Sequence, residues 1–174
     1  QSIRLAKQGN NGGDLFLESL IESNLGRTYS TLGDGAQMLE HHRKALALRA
    51  KLFGDEDVWT ANSHNNVAAA LHELGRLRES LEEHHKTLAI REKQLPAGDS
   101  EILNSYDSLS NAYIRAGKPD LAIDYMKKAA DGALAKFGEK HVKTAHFLKN
   151  LGTVYGSQRR WAEAAALTER AVRI

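Results

Sequence analysis

Apolar and small residues return along this chain at a fixed spacing of 42 positions. One such column contains Leu25, Val67, Leu109 and Leu151, and another contains glycine at positions 33, 75 and 117. An internal period of this length is typical of repeat proteins, whose units bury their apolar faces only against their neighbours. The pattern therefore predicts a stack of similar units with a long continuous surface, rather than an enzyme built around a pocket.

Each unit is predicted to contain two helices. In the second unit, apolar residues with the i, i+1, i+4, i+7 spacing of one helical face predict a helix over residues 57–74. Gly75 ends that helix, because the residue past a helix end often needs the left-handed conformation that glycine adopts without strain. Leucines at helical spacing predict a second helix over residues 77–94. The short turn between them makes the two helices antiparallel neighbours.

We therefore predict an all-α fold of four antiparallel helical hairpins, at residues 14–56, 57–98, 99–140 and 141–174. Residues 1–13 do not fill a unit. Residues 2–8 resemble residues 45–51 and are interpreted as the tail of a preceding helix, and Gly9 to Gly13 as a loop, because glycine and asparagine tolerate positive φ. Ile174 aligns with Leu48 and Ile90, inside a helix. Frayed termini and a cut from a longer array both fit these ends.

Short side chains at fixed positions explain how each hairpin closes, since helix backbones approach only where side chains are small. One column of this kind contains Gly26, Ala68, Ser110 and Gly152. In a second column, the small residues at positions 80, 122 and 164 are replaced by Met38 in the first unit. The first hairpin is therefore expected to be wider than the others.

The composition is that of a globular protein, with 41% hydrophobic and 26% charged residues among 174. The formal net charge is +2 and no basic cluster is present, so nucleic acid is not an expected partner. The absence of cysteine excludes disulfides and cysteine-ligated zinc, and is compatible with a reducing compartment. No apolar run approaches the roughly 20 residues that span a bilayer, and the N-terminus lacks a secretion signal. We expect a soluble, cytoplasmic protein without a membrane partner.

The columns resemble those of the tetratricopeptide repeat (TPR). The Leu-Gly-x-x-Tyr segment of that family is matched at residues 25–29 and 151–155, and its later small residue falls on Ala122 and Ala164. The usual TPR period is 34 residues, and the longer unit of this chain, with Ala-Leu-Ala-Leu-Arg-Ala-Lys-Leu-Phe-Gly at residues 45–54, resembles the kinesin light chain type. The resemblance implies a right-handed α-solenoid, the TPR superhelix. Arg159 departs from the pattern, because the family has glycine at this turn.

In TPR proteins the first helix of each hairpin lines a concave groove, which takes extended or short helical peptides. Transferred by position, one groove column contains Asn24, Asn66, Ser108 and Asn150. A carboxamide offers two donors and an acceptor, which match the N–H and C=O groups of a peptide backbone. Other columns complete the predicted peptide-binding residues: Arg27, Asn62, Asn65, Asn104, Asn111, Arg115, His146 and Lys149. The alternative explanation is that the asparagines are solvated or cap one another between hairpins.

Some TPR domains hold a C-terminal carboxylate with lysine and arginine side chains. Arg27, Arg115 and Lys149 have the charge for this contact, but the acidic residues Asp107 and Glu73 lie among them. The sequence therefore gives a carboxylate clamp little support.

Histidine is a common metal ligand and acid–base group, and the chain has eight histidines. His42 and His84 share a column that usually packs an aromatic ring, so a buried filler is their expected role. No metal-binding, phosphate-binding or nucleophile motif is present, and we predict no metal, no cofactor and no enzymatic activity. Trp59 and Trp161 are expected to pack between adjacent hairpins, with Trp161 partly exposed if the array ends there.

The sequence thus favours a protein–protein interaction module that binds a peptide or protein segment in its groove, within a larger scaffold or signalling protein. The alternative is a structural or sensor array that forms homo-oligomers by stacking through uncapped ends. Light scattering over a concentration series separates the two, because only stacking makes the mass rise with concentration.

Overall fold

The computed structural model describes residues 10–174, with side chains from residue 12 onwards. This part of the chain consists of eight α-helices joined by turns and contains no β-strand, which confirms the predicted all-α fold. The helices are α1 (Asn10–Leu32), α2 (Gly35–Phe53), α3 (Val58–Glu73), α4 (Leu77–Gln94), α5 (Ser100–Arg115), α6 (Pro119–Phe137), α7 (Val142–Ser157) and α8 (Trp161–Val172). None of these helices is both long and apolar enough to cross a membrane.

The helices form two compact units, of which the first ends at Gln94 and the second begins at Leu95. In the first unit α1 packs on α2, α2 on α3, and α3 on α4. In the second unit α5 packs on α6, α6 on α7, and α7 on α8. Helices that follow one another in sequence are therefore neighbours within each unit, as short antiparallel connections require.

A residue with left-handed backbone conformation follows the first helix of every hairpin. Gly33, Gly75 and Gly117 have φ angles of 73°, 71° and 69°. In the fourth hairpin, Arg159 adopts a φ of 59° at the same position although it carries a Cβ atom. In all four hairpins the next N–H donates to the carbonyl five positions back, at 2.9–3.0 Å, which is the hydrogen bond of a Schellman cap. The turn is therefore conserved in geometry where the glycine is replaced.

Side-chain caps begin the first helices of the second, third and fourth hairpins. Asp57, Asp99 and His141 each accept a hydrogen bond from the backbone N–H two positions later, at 2.9, 2.8 and 3.1 Å. Such caps satisfy an N–H group that has no partner within the helix. The second helix α6 begins instead with Pro119, which has no N–H to satisfy.

Gly26 and His42 show how closely α1 and α2 approach. A Cβ atom on Gly26 would lie 2.5 Å from the His42 ring, and His42 is only 2% exposed. His84, in the same column, is also buried, so the interpretation of both histidines as buried fillers is confirmed. The predicted widening of the first hairpin is wrong, because α1 and α2 are in close contact at Gly26 and His42, while Met38 is buried in a cluster with Val67 of α3.

A buried hydroxyl group lies where the two helices of the second and third hairpins cross. In the second hairpin, Ser80 on α4 donates to the carbonyl oxygen of Ala68 on α3 at 2.8 Å. In the third hairpin, Ser110 on α5 donates to the carbonyl oxygen of Ala122 on α6, also at 2.8 Å. The two hydrogen bonds occupy equivalent positions, but the donor has moved from the second helix to the first.

The N-terminus of α1 departs from the prediction. Asn10 to Gly13 form the first residues of this helix, so the predicted loop is wrong for these four residues. Gly12 is buried, which indicates that packing outweighs the weak helix propensity of glycine. Gly9 and the predicted tail of a preceding helix, at residues 1–8, lie outside the described residues.

Candidate functional site

The polar side of the first helices carries the predicted binding residues, and we call these residues together the first-helix face. Within each unit two first helices lie side by side. Ser30 of α1 donates to Glu73 Oε1 of α3 at 3.2 Å, and Lys143 of α7 donates to Ser100 Oγ of α5 at 2.6 Å. The predicted residues of each helix pair therefore share a surface within their own unit.

The first unit contributes five predicted residues to the first-helix face: Asn24 and Arg27 on α1, and Asn62, Asn65 and Asn66 on α3. The two residues on α1 are exposed, and the three asparagines on α3 are half-buried. The side chains of Asn24, Arg27 and Asn66 make no hydrogen bond or ion pair with other residues of the described chain. Asn65 Oδ1 is enclosed by the protein and accepts no hydrogen bond from the described residues.

Asn62 is held by a residue that the sequence reasoning missed. Arg91 of α4 is 4% exposed, and its Nη2 donates to Asn62 Oδ1 at 2.6 Å. Arg49 of α2 stands 42 positions earlier and is equally buried, with Nη1 donating to Ser63 Oγ at 2.9 Å. The recurrence of arginine at the same repeat position of α2 and α4 was the available indication that a buried guanidinium supports α3 in this unit.

Asn150 connects α7 to α5 in the second unit. Its Nδ2 donates to Asp107 Oδ1 at 3.4 Å and lies 3.2 Å from His146 Nε2. Burial raises the pKa of Asp107, and the nearby His146 and the hydrogen bond from Asn150 partly oppose this rise. For Asn150 the contact is therefore the one proposed by the alternative explanation, in which the polar residues of adjacent hairpins bond to one another.

The other predicted residues of the second unit are not brought together by direct contacts. Asn104, Asn111, Arg115 and Lys149 are exposed, and Ser108 is half-buried. Their side chains make no hydrogen bond or ion pair within the described chain. They are available to a ligand, but the protein does not hold them in one orientation.

The tetratricopeptide repeat family model matches residues 17–93 and 101–174, which together contain nearly all of the eight helices. The chain belongs to the tetratricopeptide repeat family. The predicted family and its helical repeat fold are thereby confirmed. TPR repeats mediate protein–protein interactions, so the class of partner expected for this TPR protein is a protein or peptide.

Several solved structures share the fold at low sequence identity. The repeats of a kinesin light chain-like protein from Podosopora anserina align with a TM-score of 0.78 and 21% identity, over 89% of this chain and 74% of that one. BtubC (BKLC) from P. vanneervenii aligns with a TM-score of 0.78 and 20% identity, over 89% of this chain and 62% of that one. The apo form of RapI aligns with a TM-score of 0.74 and 16% identity, over 90% and 55%.

This TPR chain therefore spans less than two thirds of the length of BtubC and of RapI. A comparison with curated protein sequences finds no match.

Metal binding finds little support in the described part of this TPR chain. Among residues 12–174, no three histidine, aspartate or glutamate side chains are placed to hold one metal ion.

Trp59 packs edge-on against Phe16 at 5.4 Å between ring centroids, and the centroid of Phe53 lies 6.3 Å away. The predicted packing of Trp59 between hairpins is therefore confirmed. Trp161 is 65% exposed instead.

Proposed function

We propose that this TPR chain is a binding module that holds a peptide or protein segment along its first-helix face. The asparagine cluster of α3 carries the proposal. Asn62, Asn65 and Asn66 are half-buried, and their i, i+3, i+4 spacing places them on one side of α3. A helix offers three adjacent carboxamides at this point, where most surface helices offer charged or flexible side chains.

The contacts of these asparagines suit recognition of a peptide backbone. Arg91 holds the Oδ1 atom of Asn62, and the Nδ2 atom of Asn62 has no acceptor within the described chain. Asn65 Oδ1 is enclosed by the protein, so Asn65 offers a ligand only its Nδ2 donor, whereas Asn66 offers both a donor and an acceptor. Together they supply the donors and acceptors that an extended segment needs, and a side chain that is already fixed loses little entropy when the ligand binds.

Replacement of Asn66 by alanine tests the proposal, since the side chain of this residue has no hydrogen bond or ion pair with the described residues to lose. A peptide of 12 residues selected by display on the whole chain serves as the probe. Its affinity is expected to fall by about 1–3 kcal/mol for Asn66→Ala, the cost of a lost buried hydrogen bond. Gln37→Ala, which removes a carboxamide from the second helix α2, is the matched control and should bind as the wild type does. Binding of the peptide by Asn66→Ala with the affinity of the wild type would exclude the proposal.

We further propose that the module works within a larger cytoplasmic scaffold or signalling protein, without catalytic activity of its own. Membership of the TPR family supports this placement, since TPR repeats serve as interaction surfaces for other proteins. Pull-down of partners from a cytosolic extract, compared between wild type and Asn66→Ala, tests the placement.

Exposed apolar residues favour a second candidate function, the formation of homo-oligomers through the ends of the array. Leu17, Ile21 and Leu25 of α1 are 58%, 51% and 37% exposed and lie on one side of the helix. A shallow cavity of about 250 Å³ between α7 and α8 is lined largely by apolar residues that include Val142 and Val172. Light scattering should show a mass that rises with concentration, and Ile21→Lys should abolish the rise. A constant mass excludes this function.

A further inference from the structure

Asp107 is a half-buried carboxylate on the first-helix face of the second unit. Its carboxylate accepts one hydrogen bond within the described chain, from Asn150 Nδ2 to Oδ1 at 3.4 Å. That distance is longer than the usual N–H···O range of about 2.7–3.2 Å, and an ionised carboxylate has about four acceptor sites. The residues that the structure describes therefore leave most of the hydrogen-bonding capacity of Asp107 unused, including all that of Oδ2.

Other half-buried carboxylates of this protein are matched by a partner. Glu22 lies 2.7 Å from His41 Nδ1, and Glu83 lies 2.5 Å from His64 Nδ1. His146 is near enough to favour the ionised form of Asp107, but no histidine, lysine or arginine forms an ion pair with this carboxylate within the described chain. A carboxylate that lies at a recognition surface and forms no ion pair within the protein is better explained by a cation of the bound partner than by a packing defect.

Burial gives Asp107 more influence on a ligand than its charged neighbours have. Its removal from water disfavours the ionised form, as the raised pKa of this carboxyl group indicates. Arg115 and Lys149 are exposed, and water and salt screen the interactions of exposed charges. A cation that approaches Asp107 interacts through a medium of lower effective dielectric constant and is held more strongly.

We propose that Asp107 determines ligand specificity: the segment bound by the second unit carries a lysine or arginine, whose cation pairs with the Asp107 carboxylate. This inference rests on the proposed function. Asn150 acts as a positioning residue, because its amide holds Oδ1, while Oδ2 accepts no hydrogen bond from the described residues. A guanidinium or an ammonium group supplies the charge-assisted hydrogen bonds that Asn150 alone does not.

A selection experiment tests the proposal with the full chain. A display library of random 12-residue peptides is selected in parallel on the wild type, on Asp107→Asn and on Asp124→Asn. The first variant keeps the size and polarity of the side chain and removes its charge, and the second removes an exposed charge from the second helix α6. Lysine or arginine should be enriched at one peptide position on the wild type and on Asp124→Asn, and this enrichment should be lost on Asp107→Asn.

A double-mutant cycle then measures the contact itself. Replacement of the enriched basic residue by glutamine should weaken binding to the wild type about tenfold or more, and binding to Asp107→Asn by no more than about twofold. Circular dichroism and a denaturant midpoint show whether each variant is folded.

The outcomes separate the two proposals. Peptides selected without a basic preference, or an equal loss on the wild type and on Asp107→Asn, overturn the role of Asp107 and leave the binding function standing. A preference for acidic peptides overturns it too, and directs attention to Arg115 and Lys149. Failure to enrich any peptide on the folded wild type overturns the binding function and this inference together.

Discussion

His64 Nδ1 lies 2.5 Å from Glu83 Oε2 across the second hairpin, and the first hairpin has the same contact with the two residue types exchanged. There the glutamate, Glu22, is on the first helix and the histidine, His41, is on the second, 2.7 Å apart. All four side chains are between 13% and 17% exposed. The contact has thus been kept while its partners changed helices.

Exchange of the second pair should therefore be tolerated when both residues are changed. His64→Glu alone places two carboxylates together, and Glu83→His alone leaves two imidazoles. Each single variant should lower the free energy of unfolding by about 1–3 kcal/mol, as expected for loss of a hydrogen bond to a charged group. The double variant should recover most of this loss, apart from the ion pair between Lys86 and Glu83. Urea unfolding measures all four proteins, and a double variant as unstable as the sum of the singles would contradict the prediction.

Two buried histidines should make the protein sensitive to mild acid. Burial, with nearby positive charge from Arg49 and His72 respectively, lowers the pKa of His42 and His84 to about 4. The folded state therefore prefers neutral rings, whereas the unfolded chain takes up protons near pH 6.5. Stability should be complete above pH 6.5 and fall as the pH drops towards 4, by on the order of 3 kcal/mol for each ring. Urea midpoints between pH 7.5 and pH 4 measure this loss.

Phenylalanine at position 84 provides the control for this loss, because a flat apolar ring has no proton to gain. His84→Phe should reduce the fall in stability between pH 6.5 and pH 4 by about half. Burial raises the pKa of Glu83, but His64 and Lys86 outweigh this effect and lower it to about 2. Glu83 should therefore add to the loss of stability only below about pH 4.5. An unchanged pH dependence in His84→Phe would refute the assignment.

Arg159 should carry a backbone cost that glycine removes. Its φ of 59° lies in the left-handed region, where a side chain costs about 1–2 kcal/mol. Arg159→Gly should raise the free energy of unfolding by up to about 1 kcal/mol, because the greater freedom of glycine in the unfolded chain offsets part of the gain. The reverse change, Gly75→Ala, should lower it by about 1 kcal/mol, since a Cβ atom there meets no other atom within 4 Å and the strain is purely conformational. Denaturant midpoints of both variants measure these changes in stability. An Arg159→Gly protein less stable than the wild type would disprove the backbone strain at Arg159.

The buried hydroxyl of the second hairpin should be movable to the other helix. Ser80→Ala removes its hydrogen bond to the Ala68 carbonyl and should cost about 1 kcal/mol. The double variant Ala68→Ser, Ser80→Ala reproduces the arrangement found at Ser110 and Ala122 and should restore most of the stability. Thermal unfolding of the three proteins provides the measurement. No recovery in the double variant would show that the two crossings differ in more than the position of the donor.

Local pattern was sufficient to predict the helices. The second helix predicted over residues 77–94 is α4, and the first helix predicted over residues 57–74 is α3 with its capping residues, Asp57 and Leu74. Helical periodicity and the glycine at the helix end are both patterns of residues that are close in sequence, so no information on long-range contacts was needed. The prediction of a loop was wrong at Asn10 to Gly13, where burial of Gly12 outweighs the weak helix propensity of glycine.

The candidate site was predictable only in outline. The period placed its residues on the first helices, but it could not show which carboxamides the protein already uses. Asn62 is engaged by Arg91, which lies 29 residues away, and Asn150 by Asp107, which lies 43 residues away. Such contacts depend on the reach of long side chains across helices, and a column of similar residues gives no information on that reach. Whether the remaining asparagines bind a peptide stays a prediction.

The smallest piece of this array that can be transplanted is a whole hairpin. The reason is that the first hairpin pairs Glu22 with His41, whereas the second pairs His64 with Glu83. A chimera that moved α1 alone in front of α4 would place Glu22 opposite Glu83, and two partly buried carboxylates would repel each other. Moving α1 and α2 together would keep the pair intact. A consensus sequence computed one column at a time would break it in the same way, so engineered arrays derived from this protein should inherit whole hairpins.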